Sequence, residues 1–104
     1  MNNFQNKRNV ISGLWKDTEN IVKENVLGLR ILKIPELCYE ISEIITIYEK
    51  TGRVVLLHEI DYRIDKLNTI LKKSLFTRKL TEEKFTFLYS NIRKFRININ
   101  KKVA

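Results

Sequence analysis

Residues 53 to 85 read RVVLLHEIDYRIDKLNTILKKSLFTRKLTEEKF. Leu57, Ile60, Ile64, Leu67, Leu71 and Leu75 recur at steps of 3, 4, 3, 4 and 4, the spacing of one face of an α-helix. Val54, Val55 and Leu56 are β-like in composition. No turn residue separates them from the helical pattern, so they are assigned to its first turn. The pattern predicts a long helix from about Arg53 to Leu75. Thr81 then opens another helix. Its hydroxyl suits an N-cap, and Glu82 and Glu83 fall in the first turn, where the helix dipole favours negative charge. Phe85, Leu88, Ile92 and Phe95 step by 3, 4 and 3, which carries this helix to residue 96. Residues 97 to 104 are expected to form a basic tail with Ile97 and Ile99 exposed.

Pro35 is the strongest punctuation mark in the chain. It disfavours helical geometry at Ile34 and suits the first turn of a helix. A helix over 35–50 follows, with Leu37, Ile41, Ile44, Ile45 and Tyr48 as its apolar stripe and Glu36, Glu40 and Glu43 on another face. Gly52 is placed to end it in a left-handed cap. A first helix over 9–28 carries Ile11, Leu14 or Trp15, Ile21 or Val22, and Val26, with Thr18 and Asn25 breaking its stripe. Gly28 and the stretch to Lys33 form its exit. Four amphipathic segments with short connections predict one all-α domain over residues 1–104, an antiparallel up-and-down four-helix bundle.

The charge is split along the chain. Residues 66 to 104 hold eleven Lys and Arg against Glu82 and Glu83, a balance of +9, while residues 1 to 65 stand at −1. Blocks of one sign mark a surface that meets the opposite sign: anionic lipid, nucleic acid or an acidic protein face. One cation cluster, Lys72, Lys73, Arg78, Lys79 and Lys84, surrounds the turn between the third and fourth helices. A second, Arg93, Lys94, Arg96, Lys101 and Lys102, crowds the C-terminus. In an antiparallel pair the two clusters lie at opposite ends, and solubility alone is the bland account of both. Phe87 and Tyr89 fall off the core stripe of the fourth helix. They are either covered by a neighbouring helix or exposed as interface anchors.

Catalytic constellations are lacking. His58 is the sole histidine, and a surface hydrogen bond to Asp61 or Tyr62 is its ordinary role. Cys38 has no second cysteine to pair with and is expected to be a buried structural thiol. The three carboxylates of the second helix lack the Glu-x-x-His pattern of carboxylate metal bundles. The glycines, Gly13, Gly28 and Gly52, stand alone and form no phosphate loop. No enzyme, metal or cofactor is expected. The start of the chain is polar and is not followed by an apolar run, so no secretory signal is expected. No apolar run reaches the ~20 residues of a membrane span. A cytoplasmic protein is expected.

The run from Lys66 to Phe85, followed by LYSNIR at 88–93, resembles the immunity proteins of pediocin-like (class IIa) bacteriocins. In that family a long helix ends in a short turn, and a Lys-Leu-or-Phe-Thr-Glu-Glu-like cap opens the fourth helix. Lys79, Leu80, Thr81, Glu82 and Glu83 stand in those places, and Ile34-Pro35-Glu36-Leu37 resembles the opening of the second helix. The resemblance spans about residues 34 to 96. It implies a cytosolic four-helix bundle, without catalytic residues, that protects a bacteriocin producer. Such proteins are thought to engage the bacteriocin-occupied mannose phosphotransferase permease from the inner face and stop a lethal pore. Specificity there lies in the C-terminal half, which here includes Arg93, Lys94, Arg96, Lys101 and Lys102. Peripheral contact with an anionic membrane fits the basic end, and a monomer is expected. The alternatives are a small basic nucleic-acid-binding protein and a regulatory adaptor for an acidic partner. The turn before Thr81 lacks the glycine of a helix-turn-helix.

Overall fold

The computed structural model describes the backbone of residues 3–29, 31 and 33–103, and side chains within 11–101. Among these residues there are four helices and no strand: α1 (Asn3–Val26), α2 (Ile34–Thr51), α3 (Val55–Phe76) and α4 (Glu82–Val103). Each helix packs on its neighbours in a closed ring, α1 on α2, α2 on α3, α3 on α4 and α4 on α1. Short connections make each sequential pair antiparallel, and the result is an up-and-down rod of 47 × 22 × 20 Å. One end holds the α1–α2 and α3–α4 connections. The other holds the α2–α3 connection and the C-terminus of α4.

The helix boundaries follow local chemistry. Gly28 leaves α1 at φ 79°. Pro35 lies in the first turn of α2, and Gly52, at φ 68°, donates its N–H to the Tyr48 carbonyl at 2.7 Å. Thr81 caps α4 by accepting the Lys84 N–H at 3.2 Å. The α3–α4 turn is a Schellman closure. Arg78 N–H donates to the Leu75 carbonyl at 3.0 Å, and Lys79 N–H to the Ser74 carbonyl at 2.8 Å. Arg78 occupies the left-handed position, φ 64°, that glycine usually fills.

The core stripes run along all four helices. Ile11, Trp15 and Val22 of α1 are buried, as are Leu37, Ile41, Ile45 and Tyr48 of α2 and Leu57, Ile60, Ile64, Leu67 and Leu71 of α3. The polar residues that interrupt the α1 stripe satisfy themselves locally. Thr18 Oγ1 donates to the Leu14 carbonyl at 3.0 Å and Asn25 Nδ2 to the Ile21 carbonyl at 2.8 Å. In α3 the stripe closes on Ser74, buried and bonded to the Ile70 carbonyl, while Leu75 is half-buried.

Most boundaries fall within two residues of those expected, with α1 ending at Val26, α2 opening on Ile34 and α3 beginning at Val55 so that Arg53 and Val54 precede it, but two differ by more. α1 begins at Asn3 rather than Asn9. Residues 97 to 103 are helical, not a tail, and Ala104 lies outside the described residues. Ile99, expected to be exposed, is fully buried, whereas Ile97 is 44% exposed. Ile99 stands four residues after Phe95 and so continues the core stripe of α4, and α1 packs beside α4.

Candidate interaction surfaces

The C-terminal half of α4 divides its cations by helical face. Arg96 points at α3. Its Nε and Nη2 donate to the two carboxylate oxygens of Asp61 at 2.7 and 3.1 Å, and its Nη1 lies 2.6 Å from Asp65 Oδ1. This bidentate pair plus a second carboxylate strengthens the guanidinium's hold on its proton. Arg96, expected among the recognition residues, is therefore an internal tie between α3 and α4. Arg93, Lys94 and Lys101 are exposed, and among the described residues none has a carboxylate partner. The Lys102 side chain lies outside the described residues. Phe87, Ser90, Lys94, Ile97 and Lys101 recur at three- and four-residue steps and are all exposed. The outward face of α4 is thus a stripe of cations interleaved with two half-exposed apolar side chains, Phe87 and Ile97. Tyr89 turns inward instead, its ring centroid 5.6 Å from that of Phe85 and 5.8 Å from the Lys72 ammonium.

Removing the Arg96 tie has a calculable effect. Arg96→Gln deletes three charge-assisted contacts at a partly exposed site. It is expected to lower stability by about 1 to 2 kcal/mol in urea denaturation. A loss below experimental error would show that the pair is fully solvent-screened.

The second cluster sits at the opposite end of the rod. Lys72, Lys73, Arg78 and Lys79 are all exposed around the α3–α4 turn. The two clusters are therefore separate surfaces along the long axis, and no single site joins them.

The candidate chemical residues are dispersed. His58 is exposed and makes no hydrogen bond to Asp61 or Tyr62 among the described residues, because Asp61 is taken by Arg96. Glu36, Glu40 and Glu43 are exposed on α2, and Glu40 lies 3.5 Å from Arg63, which also pairs with Glu59 at 2.9 Å. No group of three or more His, Cys, Asp or Glu among the described residues could hold a metal ion. No helix among them is long and apolar enough to cross a membrane.

Trp15, left without a role by the sequence, is a core residue that joins three helices. Its Nε1 donates to Ser42 Oγ at 2.9 Å, Ser42 Oγ donates to Glu19 Oε2 at 3.1 Å, and its ring lies 5.2 Å from Phe95. Cys38 is fully buried. Burial, followed by the Glu19 carboxylate, pushes its thiol up to about 11 from an ordinary 9.0. At neutral pH it is protonated and a poor nucleophile. The unfolded chain ionises first, so folding stability is intact below pH 9 and falls as the pH rises towards 11. The loss is about 2 to 3 kcal/mol. Comparing urea midpoints at pH 8 and 11 for the native chain and Cys38→Ala isolates this contribution, and parallel losses in the two proteins would refute it.

The chain matches no family model, no curated protein and no solved structure.

Proposed function

We propose that this protein is an immunity protein of the pediocin-like bacteriocin type. In this reading it acts in the cytoplasm of a producing cell, binds the bacteriocin-occupied mannose phosphotransferase permease at the inner membrane face, and blocks the pore. It works by binding, without catalysis. The observation that carries this reading is the α3–α4 hairpin. The Lys79-Leu80-Thr81-Glu82-Glu83 cap opens a helix whose far half displays Arg93, Lys94 and Lys101 around the half-exposed Ile97.

The physical logic is that of a stiff rod with one prepared face. A rigid helical bundle loses little ordering entropy when it docks. Cations without internal partners are available to an acidic receptor surface or to anionic headgroups. Arg96 contributes at one remove, by fixing the rotation and position of α4 against α3.

Expression in a sensitive lactic acid bacterium, followed by challenge with a panel of pediocin-like peptides, tests the proposal. Survival against at least one peptide is the expected result. The combined variant Lys94→Glu and Lys101→Glu should abolish protection while retaining the helical circular dichroism signal. Lys16→Glu, an exposed change on α1, should leave protection intact. Unchanged killing by every peptide in cells that accumulate the folded protein would overturn the assignment.

A further inference from the structure

The end of the rod that carries the α1–α2 and α3–α4 connections has features that folding does not require. Leu27 and Phe76 are 84% and 88% exposed there, the two most exposed large apolar side chains among the described residues. Both belong to connections or helix ends, so neither is a stray residue on a helix flank. Beside Leu27, the residues Val26, Ile31 and Pro35 line a shallow apolar cleft.

Cations surround these two side chains. Lys33, Lys72, Lys73, Arg78 and Lys79 are exposed at the same end. The acids Glu36, Glu82 and Glu83 lie in the first turns of α2 and α4, where the helix dipoles already favour them. Lys23 is paired with Glu19 at 3.5 Å, and Glu24 is an exposed acid in the last turn of α1. The backbone supplies an independent sign. Among the described residues, the non-glycine residues with positive φ are Lys33, at 74°, and Arg78, at 64°. Glycine would hold either position with less strain. Strained positions filled by a charged side chain point to a use for the charge beyond the fold.

We infer that this end is a membrane-contact tip, with Phe76 and Leu27 entering the interfacial region of an anionic bilayer while Lys33, Arg78 and the flanking lysines pair with phosphate headgroups. An acidic protein face is a poorer match. Leu27 with its cleft neighbours, and Phe76, stand among the exposed cations of the two connections, and a small apolar surface with a cationic surround suits a bilayer interface. The inference goes beyond the protective role and does not depend on it. The recognition stripe of α4 is a different surface, and its cluster lies towards the other end.

Sedimentation with vesicles of equimolar phosphatidylglycerol and phosphatidylcholine is the test, at low and at physiological salt. The protein should co-sediment with these vesicles, more strongly at low salt, and not with phosphatidylcholine alone. Combining Leu27→Ser with Phe76→Ser should weaken binding about tenfold. Arg78→Gly should weaken it about fivefold and also raise the thermal midpoint by about 3 to 6 °C, because the turn is relieved. That variant separates the charge from foldedness. Val54→Ser with Val55→Ser, exposed at the opposite end, should bind like the native chain. No binding to anionic vesicles at low salt would overturn the inference. So would binding indifferent to the Leu27 and Phe76 changes, or duplex DNA binding that depends on Arg78 and exceeds vesicle binding. These assays contain no bacteriocin, so their failure leaves the immunity assay untouched, and the reverse also holds.

Discussion

Phe95→Ala is expected to lower the unfolding free energy by about 3 to 5 kcal/mol in urea denaturation. Phe95 is 2% exposed and its ring centroid lies 5.2 Å from that of Trp15, at an interplanar angle of 47°. Deleting the ring removes its transfer free energy and one wall of the Trp15 site. Trp15 cannot simply collapse into the gap, because its indole N–H is held by Ser42 and Ser42 is held by Glu19. The cavity therefore persists, and persistent cavities carry the upper range of such costs. A small domain has about 5 to 15 kcal/mol to lose, so the variant should be close to unfolding at physiological temperature. Phe95→Leu, which retains most of the volume, should cost only about 1 to 2 kcal/mol. Equal, small losses in both variants would mean that the α1–α4 seam is loosely packed.

Ile99→Ala is expected to cost about 2 to 4 kcal/mol, whereas Ile97→Ala should stay within about 0.5 kcal/mol of the native chain. The two residues are chemically identical and two positions apart, yet Ile99 is fully buried and Ile97 is 44% exposed. The contrast is a direct measure of whether residues 97 to 103 form a helix docked on the bundle. A disordered tail would give two small and equal values. It also bears on the proposed function, because Lys101 joins Lys94 on one outward stripe only while the helix continues past Arg96.

Much of this architecture was legible from residue spacing. The stripe from Leu57 to Leu71 became the buried face of α3, Gly52 adopted the left-handed cap, and Thr81 capped α4, each because a local rule governs the outcome. Cys38 beside Leu37 and one turn before Ile41 is buried for the same reason. Ile99 was equally legible in principle, being four residues beyond Phe95. It was hidden by the polar residues around it, since Asn98, Asn100, Lys101 and Lys102 lower the apparent amphipathicity of the segment. Trp15 was ambiguous with Leu14, because a one-residue rotation of α1 exchanges them and only the facing helices choose between the two.

The site was less legible than the fold. Arg93, Lys94 and Arg96 look alike in sequence, and residue type and spacing alone assign all three to one C-terminal cluster. Arg96 instead closes on Asp61 and Asp65, which lie 35 and 31 residues away. No local pattern encodes that pairing. It depends on how far the hairpin turn carries α4 along α3, and on which face α4 then presents. Periodicity and capping, which act within one or two turns of backbone, set where the helices lie in the chain and which stripe of each is apolar. The closed ring of four helices decided the rest, because burial and charge pairing are settled only when a second helix supplies the wall or the carboxylate. That is why the helices could be read one at a time, while the division between cations that hold the bundle together and cations that face outward could not.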